Sequence, residues 1–377
     1  MGYLRLADGT GRRRMDIHVW YPGVIPAGAV ERVRYDVPNK DRDWKPAHPP
    51  YAFGRALAGA APVADEAPYP VIVFSHGFHL SPVVYAAMTE HYASRGFVVV
   101  APEHRETLDT TFQGLWKGLI DRPRSVTRTL DAAERLTAPG GALEGLLDMS
   151  RVAVVGHSYG GYTALAAAGA RYDMRAYRSR CGALPKRSPL TFFCSPILPN
   201  EGRMAARAGL ARPPRGLWPS AGDPRVKAII PMAGDAYMFG RAGLAKVTVP
   251  TMAIGGTADT GTPYGWGARL TYDGVASSTK ILVTLKGAEH FVFTSPCKDQ
   301  PWVRTRWFRS YLCADPAWNK ARALRVVLHL STAFLQDTLK GDTAARARLA
   351  PGAVAIPGVR YAATSREDVH GARGETR

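Results

Sequence analysis

The sequence predicts an α/β architecture with a mostly parallel central sheet covered by helices on both faces. Three observations carry that expectation. Short runs are apolar on both faces, helical stretches alternate with them, and 377 residues are enough to bury such a sheet.

Taken in order, Met15–Tyr21 (MDIHVWY) alternates apolar and polar residues and stops at Pro22, as an edge strand does. Residues 22–68 are rich in Pro, Gly and Ala without periodicity and read as a long irregular connection. A buried strand is expected at 71–75, helical periodicity at 83–95, a second buried strand at 97–101 and a helix at 125–136. A third strand at 152–155 is followed by an Ala-rich helix at 159–170. Residues 172–222 break the rhythm with prolines, arginines, two cysteines and an apolar patch, Leu190–Phe193 with Ile197 and Leu198. Strands resume at 226–232, 251–254 and 281–285, and 321–339 reads as an amphipathic helix. The division expected is a domain over 1–341, interrupted by 172–222 as a lid or excursion, with an Arg-, Ala- and Gly-rich frayed tail at 342–377.

Hydrophobic residues make up 46% and charged residues 21%, ordinary for a globular chain, and no apolar run approaches the roughly 18–20 residues that span a bilayer. The formal net charge is +18, from 49 Lys and Arg against 31 Asp and Glu. The arginines are scattered, and no helix-turn-helix, zinc-finger or RNA-binding signature organises them, which argues against specific nucleic-acid binding. Salt-sensitive attraction to anionic surfaces fits better.

The sharpest chemical signal is VAVVGHSYGG, which puts G-x-S-x-G at 156–160 between a buried strand and a small-residue helix. A tight strand-to-helix turn there pushes the Ser158 hydroxyl out of the sheet. Gly156 and Gly160 remove side chains that would clash, and the helix N-terminus lies below a developing oxyanion. A serine needs a base, and the base needs an orienting acid. Of the histidines after Ser158, His329 falls in the last helix and His370 in the tail, whereas His290 follows strand 281–285 in a loop. Two acids compete at the carboxyl ends of strands: Asp259 in GTADTGTP and Asp235 in GDAYMF. Asp259 precedes His290 by one strand-helix-strand step and is preferred; Asp235 is the alternative. Backbone N–H groups of Phe78, after strand 71–75, and Tyr159, after the serine, are the expected oxyanion donors. His76 and His79 have H-x-x-H spacing without an acidic ligand, so neither a metal nor another cofactor is expected. His104 and His157 read as packed or hydrogen-bonded histidines.

The four cysteines form two sequence-local pairs in loop-like stretches, Cys181 with Cys194 and Cys297 with Cys313. Such pairs suit disulfides that staple loops in an oxidising compartment. Met1–Arg14 lacks an apolar signal core, and a trimmed export signal would reconcile this with a periplasmic or secreted location; four thiols in a cytoplasmic enzyme are the alternative.

Together VIVFSHGF (71–78), FVVVAPEHRE (97–106), GHSYGGYTA (156–164) and GAEHF (287–291) resemble the platelet-activating-factor acetylhydrolase family and its dienelactone-hydrolase-like relatives. IHVWYP (17–22) fits the same group, and 249–264 with 285–291 is also similar to bacterial cutinases and polyester hydrolases. The resemblance, over about 15–171 and 224–297, implies the α/β-hydrolase fold and a serine esterase. Ser158 is then nucleophile, His290 base, and Phe78 and Tyr159 oxyanion donors. The acetylhydrolase pattern points to Asp235 as the acid, the cutinase pattern to Asp259. Dienelactone hydrolase itself uses a cysteine nucleophile, which the serine here argues against. Short-chain acyl esters are the expected substrates, with a polyester or a phospholipid-type acetyl ester behind them. Amide cleavage on the same fold, and a non-catalytic basic binding protein, are the competing classes.

Overall fold

The computed structural model describes residues 1–9, 14–29, 32–38, 50–104, 112–188 and 190–364. Among them the strands are β1 (Gly2–Asp8), β2 (Met15–Tyr21), β3 (Arg34–Asp36), β4 (Tyr51–Phe53), β5 (Leu57–Ala58), β6 (Tyr69–Ser75), β7 (Val98–Pro102), β8 (Leu147–His157), β9 (Val226–Met232), β10 (Thr251–Gly256), β11 (Lys280–Leu285) and β12 (Val359–Thr364).

All but β3 and β4 join one sheet, in the order β12-β11-β10-β9-β8-β6-β7-β2-β1-β5. From β7 to β11 the strands are parallel, while β2 and β12 run antiparallel to their inner neighbours. Alternation along each strand divides the core in two. Ile72, Phe74, Val99, Val155 and Ile230 face the helices Ala86–Ala93 and Lys320–Lys340. Val71, Val73, Val100, Val152 and Val154 face the helices Leu115–Thr137 and Tyr159–Ala167. Because both faces are covered, the parallel strands are buried almost throughout, which is why they read as continuous apolar runs.

The structure departs from the sequence expectations in three places. Met15–Tyr21 is not an edge strand: β1 pairs with it in full register from Gly2↔Tyr21 to Asp8↔Met15, and β5 adds to β1. The helix expected at 125–136 begins ten residues earlier, at Leu115, and contains Pro123. Proline has no N–H to give the carbonyl four residues back, and the freed Leu119 carbonyl instead accepts from the hydroxyls of Tyr162 and Tyr172. The expected tail is in part built into the fold. Helix Thr343–Arg348 packs on Lys320–Lys340, and β12 pairs with β11 from Leu285↔Val359 to Lys280↔Thr364. His370 lies outside the described residues.

The segment 172–222 folds as short helices, Met174–Gly182, Thr191–Cys194 and Glu201–Ala208, and the Cys181–Cys194 disulfide joins the first two. Its described buried residues form no separate core. Phe193, Ile197, Met204 and Ala205 are buried in the same layer as Leu119 and Tyr172, and Tyr177 donates to the Phe193 carbonyl. Cys297–Cys313 closes a second loop.

A chain stopped after Gly341 should lose the β12 cover over β11, leaving an apolar strand edge. Its melting temperature should fall by about 5 °C or more and it should aggregate on heating, read by calorimetry and light scattering.

Candidate active site

The carboxyl ends of the central strands converge on one point. In register, Ser75 ends β6 opposite Gly156 of β8, and His157 lies opposite Met232 of β9. Ser158 follows at the N-terminus of helix Tyr159–Ala167 with φ 57° and ψ −122°, a conformation that costs a non-glycine residue of order 1–3 kcal/mol. Its N–H donates to the Met232 carbonyl, and its own carbonyl accepts from Gly161 and Tyr162. The neighbouring glycines are steric necessities. A Cβ on Gly156 would lie 2.2 Å from the Gly160 oxygen, and one on Gly160 would lie 1.9 Å from the Ser75 oxygen.

The Ser158 hydroxyl meets His290 Nε2 at 2.8 Å. On the other side of the ring, Nδ1 lies 2.9 and 3.0 Å from the two carboxylate oxygens of Asp259. Asp259 is fixed in turn by the Thr262 N–H, 2.6 Å from Oδ1. Glycine is required at 261, because a Cβ there would come within 2.6 Å of the imidazole. Asp235, the other candidate acid, is buried behind this pair and accepts from the Thr262 hydroxyl at 2.6 Å. The structure thus joins Ser158, His290 and Asp259 directly and brings Asp235 next to them through Thr262.

Burial alone would push the His290 imidazole down. The charge and hydrogen bond of Asp259, helped by Asp235 and Glu289, override it and hold His290 above its ordinary 6.5. Desolvation pushes Asp235 up to about 6, a shift reinforced by the negative charge of Asp259.

The other histidines of this corner take a different part. His157 donates from Nε2 to the His290 carbonyl and accepts at Nδ1 from Tyr85, whose hydroxyl also receives the Gly77 N–H. One ring therefore ties the base to the loop after β6. His76 accepts the His104 N–H at Nε2 and donates from Nδ1 to the Gly77 carbonyl. Burial, with Arg122 or His290 nearby, holds His76, His104 and His157 well below the ordinary range, so they stay neutral. His329 is exposed on helix Lys320–Lys340, away from this corner.

Phe78 and Tyr159 are neighbours, their rings edge to face at 5.5 Å. Sequence reasoning missed Arg122. Fully buried, it donates to the carbonyls of His76 and Gly77 and lies 4.7 Å from the Tyr159 ring centroid. It also missed Thr262 and Tyr85. Only the Pro123 next to Arg122 carries a sequence signal, and that signal argues for a helix end. A cavity of about 440 Å³ opens beside His290, lined by Phe291, Tyr311, Thr260 and Glu289 among others. Among the described residues no group of three or more His, Cys, Asp or Glu is arranged to hold a metal.

Over 90% of both chains the structure resembles a ferulic acid esterase from Streptomyces cinnamoneus, with a TM-score of 0.55 and 21% identity. The mostly parallel sheet covered by helices on both faces agrees with that likeness. The fold is that of the α/β-hydrolases. Residues 29–179 match the Chlorophyllase family model. Chlorophyllase-1 of Citrus unshiu is 34% identical over 110 residues, 27% of this chain and 30% of the plant protein, so the chain spans under a third of that relative. Cutinase 1 of Thermobifida cellulosilytica is 26% identical over 67% of this chain and 72% of its own length. Platelet-activating factor acetylhydrolase of Cavia porcellus is 29% identical over 28% of this chain and 33% of its own.

Gly160→Ala should displace the strand-to-helix elbow by the clash with the Ser75 oxygen. A displacement of 1 Å costs about 100-fold in rate, so kcat for a soluble ester should fall at least that far while the far-UV spectrum stays native.

Proposed function

We propose that the chain is a serine carboxylic-ester hydrolase that works through an acyl-enzyme, with short-chain acyl esters as substrates. One observation carries the reading: Ser158 Oγ, His290 and Asp259 stand in a continuous hydrogen-bonded line at a strand-to-helix turn where Ser158 is half-buried between buried neighbours. His290 Nε2 takes the hydroxyl proton as Oγ attacks the ester carbonyl, and Asp259 holds the imidazolium that forms. The oxyanion lies against the N–H groups of Phe78 and Tyr159. His290 then returns the proton to the leaving alcohol, and water repeats the cycle on the acyl-enzyme. No step requires a cofactor.

The similarity to cutinase over two-thirds of the chain supports a polyester as the second substrate reading. So does the series of rings leading outward from Phe78 through Phe112 to Phe192 of the 172–222 segment, the last two exposed. On this reading the segment forms one wall of the substrate cleft. Two disulfides favour an oxidising compartment, periplasmic or extracellular; among the described residues no helix is long and apolar enough to cross a membrane. A surface cavity lined by Arg95, Arg325 and Arg348 supports attraction to anionic surfaces.

The test is hydrolysis of p-nitrophenyl esters of increasing acyl length. Ser158→Ala should abolish fluorophosphonate labelling and lower kcat by about 10⁴-fold or more, and equal rates for the two proteins would end the proposal. Since only neutral His290 accepts the proton, and its affinity for that proton is raised, kcat/KM should fall on acidification with a midpoint above 6.5.

A further inference from the structure

The sequence presents two acids as alternatives, yet the fold keeps both at the same histidine. Asp259 follows β10 and Asp235 follows the adjacent β9, so their loops lie side by side at the carboxyl edge of the sheet. Thr262 connects them. Its N–H donates to Asp259 Oδ1 and its hydroxyl donates to Asp235 Oδ1, both at 2.6 Å. Asp235 lies near enough to His290 for its charge to add to that of Asp259 in holding the imidazolium.

Packing does not account for Asp235. Its side chain is buried, hydrogen-bonded to Thr262, and within electrostatic reach of Tyr237 on its own loop, Tyr177 from the 172–222 segment, Arg122 from helix Leu115–Thr137, and the His290–Asp259 pair. A carboxylate in such a place resists ionisation, and a raised carboxyl value means that the native state loses stability as pH climbs from the ordinary range through about 6. Asparagine would satisfy the Thr262 hydroxyl without that cost. A charged group retained where charge is costly points to function.

We propose that Asp235 is a second, reserve acid of His290, held by Thr262 beside Asp259 and able to orient the imidazole when Asp259 cannot. The proposal rests on the reading of Ser158 and His290 as nucleophile and base. In the ordinary cycle Asp259 takes the Nδ1–H bond and Asp235 adds negative charge behind it. With Asp259 neutralised, the imidazole turns its Nδ1–H to Asp235. The serine proton still goes to Nε2 and returns to the leaving alcohol, so no bond or proton changes its destination. Asp235 is a positioning residue: it acts through His290 and touches no substrate.

The experiment measures kcat and KM for a short-chain p-nitrophenyl ester from pH 5 to 9. It compares wild type, Asp259→Asn, Asp235→Asn, the double variant, and Thr262→Val in the Asp259→Asn background, with melting curves to establish folding. A triad deprived of its acid loses about 10⁴-fold in kcat. Asp259→Asn should instead keep at least about one-hundredth of the wild-type kcat with KM little changed, and the double variant should fall at least about 100-fold further. Asp235→Asn alone should cost less than about fivefold, shift the acid limb of kcat/KM downward and raise the melting temperature more at pH 8 than at pH 4. Thr262→Val should reduce what Asp259→Asn retains. If Asp259→Asn is as inactive as the double variant, or if Asp235→Asn leaves the acid limb unmoved, the proposal is overturned. Should Asp259→Asn not melt as a native protein, Asp259→Ser enters the same comparison. Loss of fluorophosphonate labelling at Ser158 in the wild type would instead overturn the underlying reading.

Discussion

Everything at the site depends on how closely three pieces of backbone approach one another around Ser158. The end of β6, the end of β8 and the first turn of helix Tyr159–Ala167 pack with no room for a Cβ at Gly156 or Gly160. Gly161 has the same constraint against Gly234, which would lie 2.6 Å from an added Cβ. That last contact matters because Gly234 immediately precedes Asp235. The same tight packing that forces the positive φ of Ser158 therefore also sets the position of the loop carrying Asp235. Backbone strain at a turn persists only where its surroundings leave no alternative, and a sheet buried on both faces supplies that constraint.

Electrostatically the corner is built from contrast. Four buried histidines cluster there, and burial by itself would leave all of them neutral. Of these four His290 alone is raised: Asp259 hydrogen-bonds its Nδ1, whereas the carboxylate nearest His76, that of Glu103, stands off at 3.8 Å. His76, His104 and His157 spend their nitrogens on backbone, serine and tyrosine partners. The outcome is one basic imidazole embedded in a shell of neutral ones that fix loops without competing for the proton. Arg122 reinforces the contrast, since its positive charge further disfavours protonation of His76 and His104.

The parallel strands and the elbow were legible because burial on both faces and close backbone approach each leave a local mark: runs such as VIVFS and glycines at fixed spacing. Chain order and the loops after strands 251–254 and 281–285 pointed to His290 and Asp259, and left Asp235 open as the alternative acid. What was hidden depends on contacts distant in sequence. Pro123 looks like a helix terminator until Tyr162 and Tyr172 are seen to satisfy the Leu119 carbonyl. Residues 343–364 look frayed because β12 is only partly buried and takes its stability from pairing with β11, not from its own composition. Met15–Tyr21 reads as an edge strand because nothing local reveals that β1 pairs alongside it. Arg122 resembles any of the many arginines in a chain of net charge +18, and only its burial distinguishes it.

The position of Arg122 also bears on how the proposed oxyanion site is prepared. The Gly77 carbonyl and the Phe78 N–H belong to the same peptide group. That carbonyl accepts from His76 Nδ1 at 2.7 Å and from an Arg122 guanidinium nitrogen at 3.3 Å. Donors on the oxygen draw electron density through the peptide and make its N–H a stronger donor, an effect that grows where the surroundings exclude water. A cation there also lowers the energy of negative charge developing nearby without having to be reoriented during the reaction. The second proposed donor, the Tyr159 N–H, begins a helix whose tyrosine ring lies against the same guanidinium. A single buried arginine, carried on a helix that continues through a proline, is thereby in contact with both halves of the proposed oxyanion site.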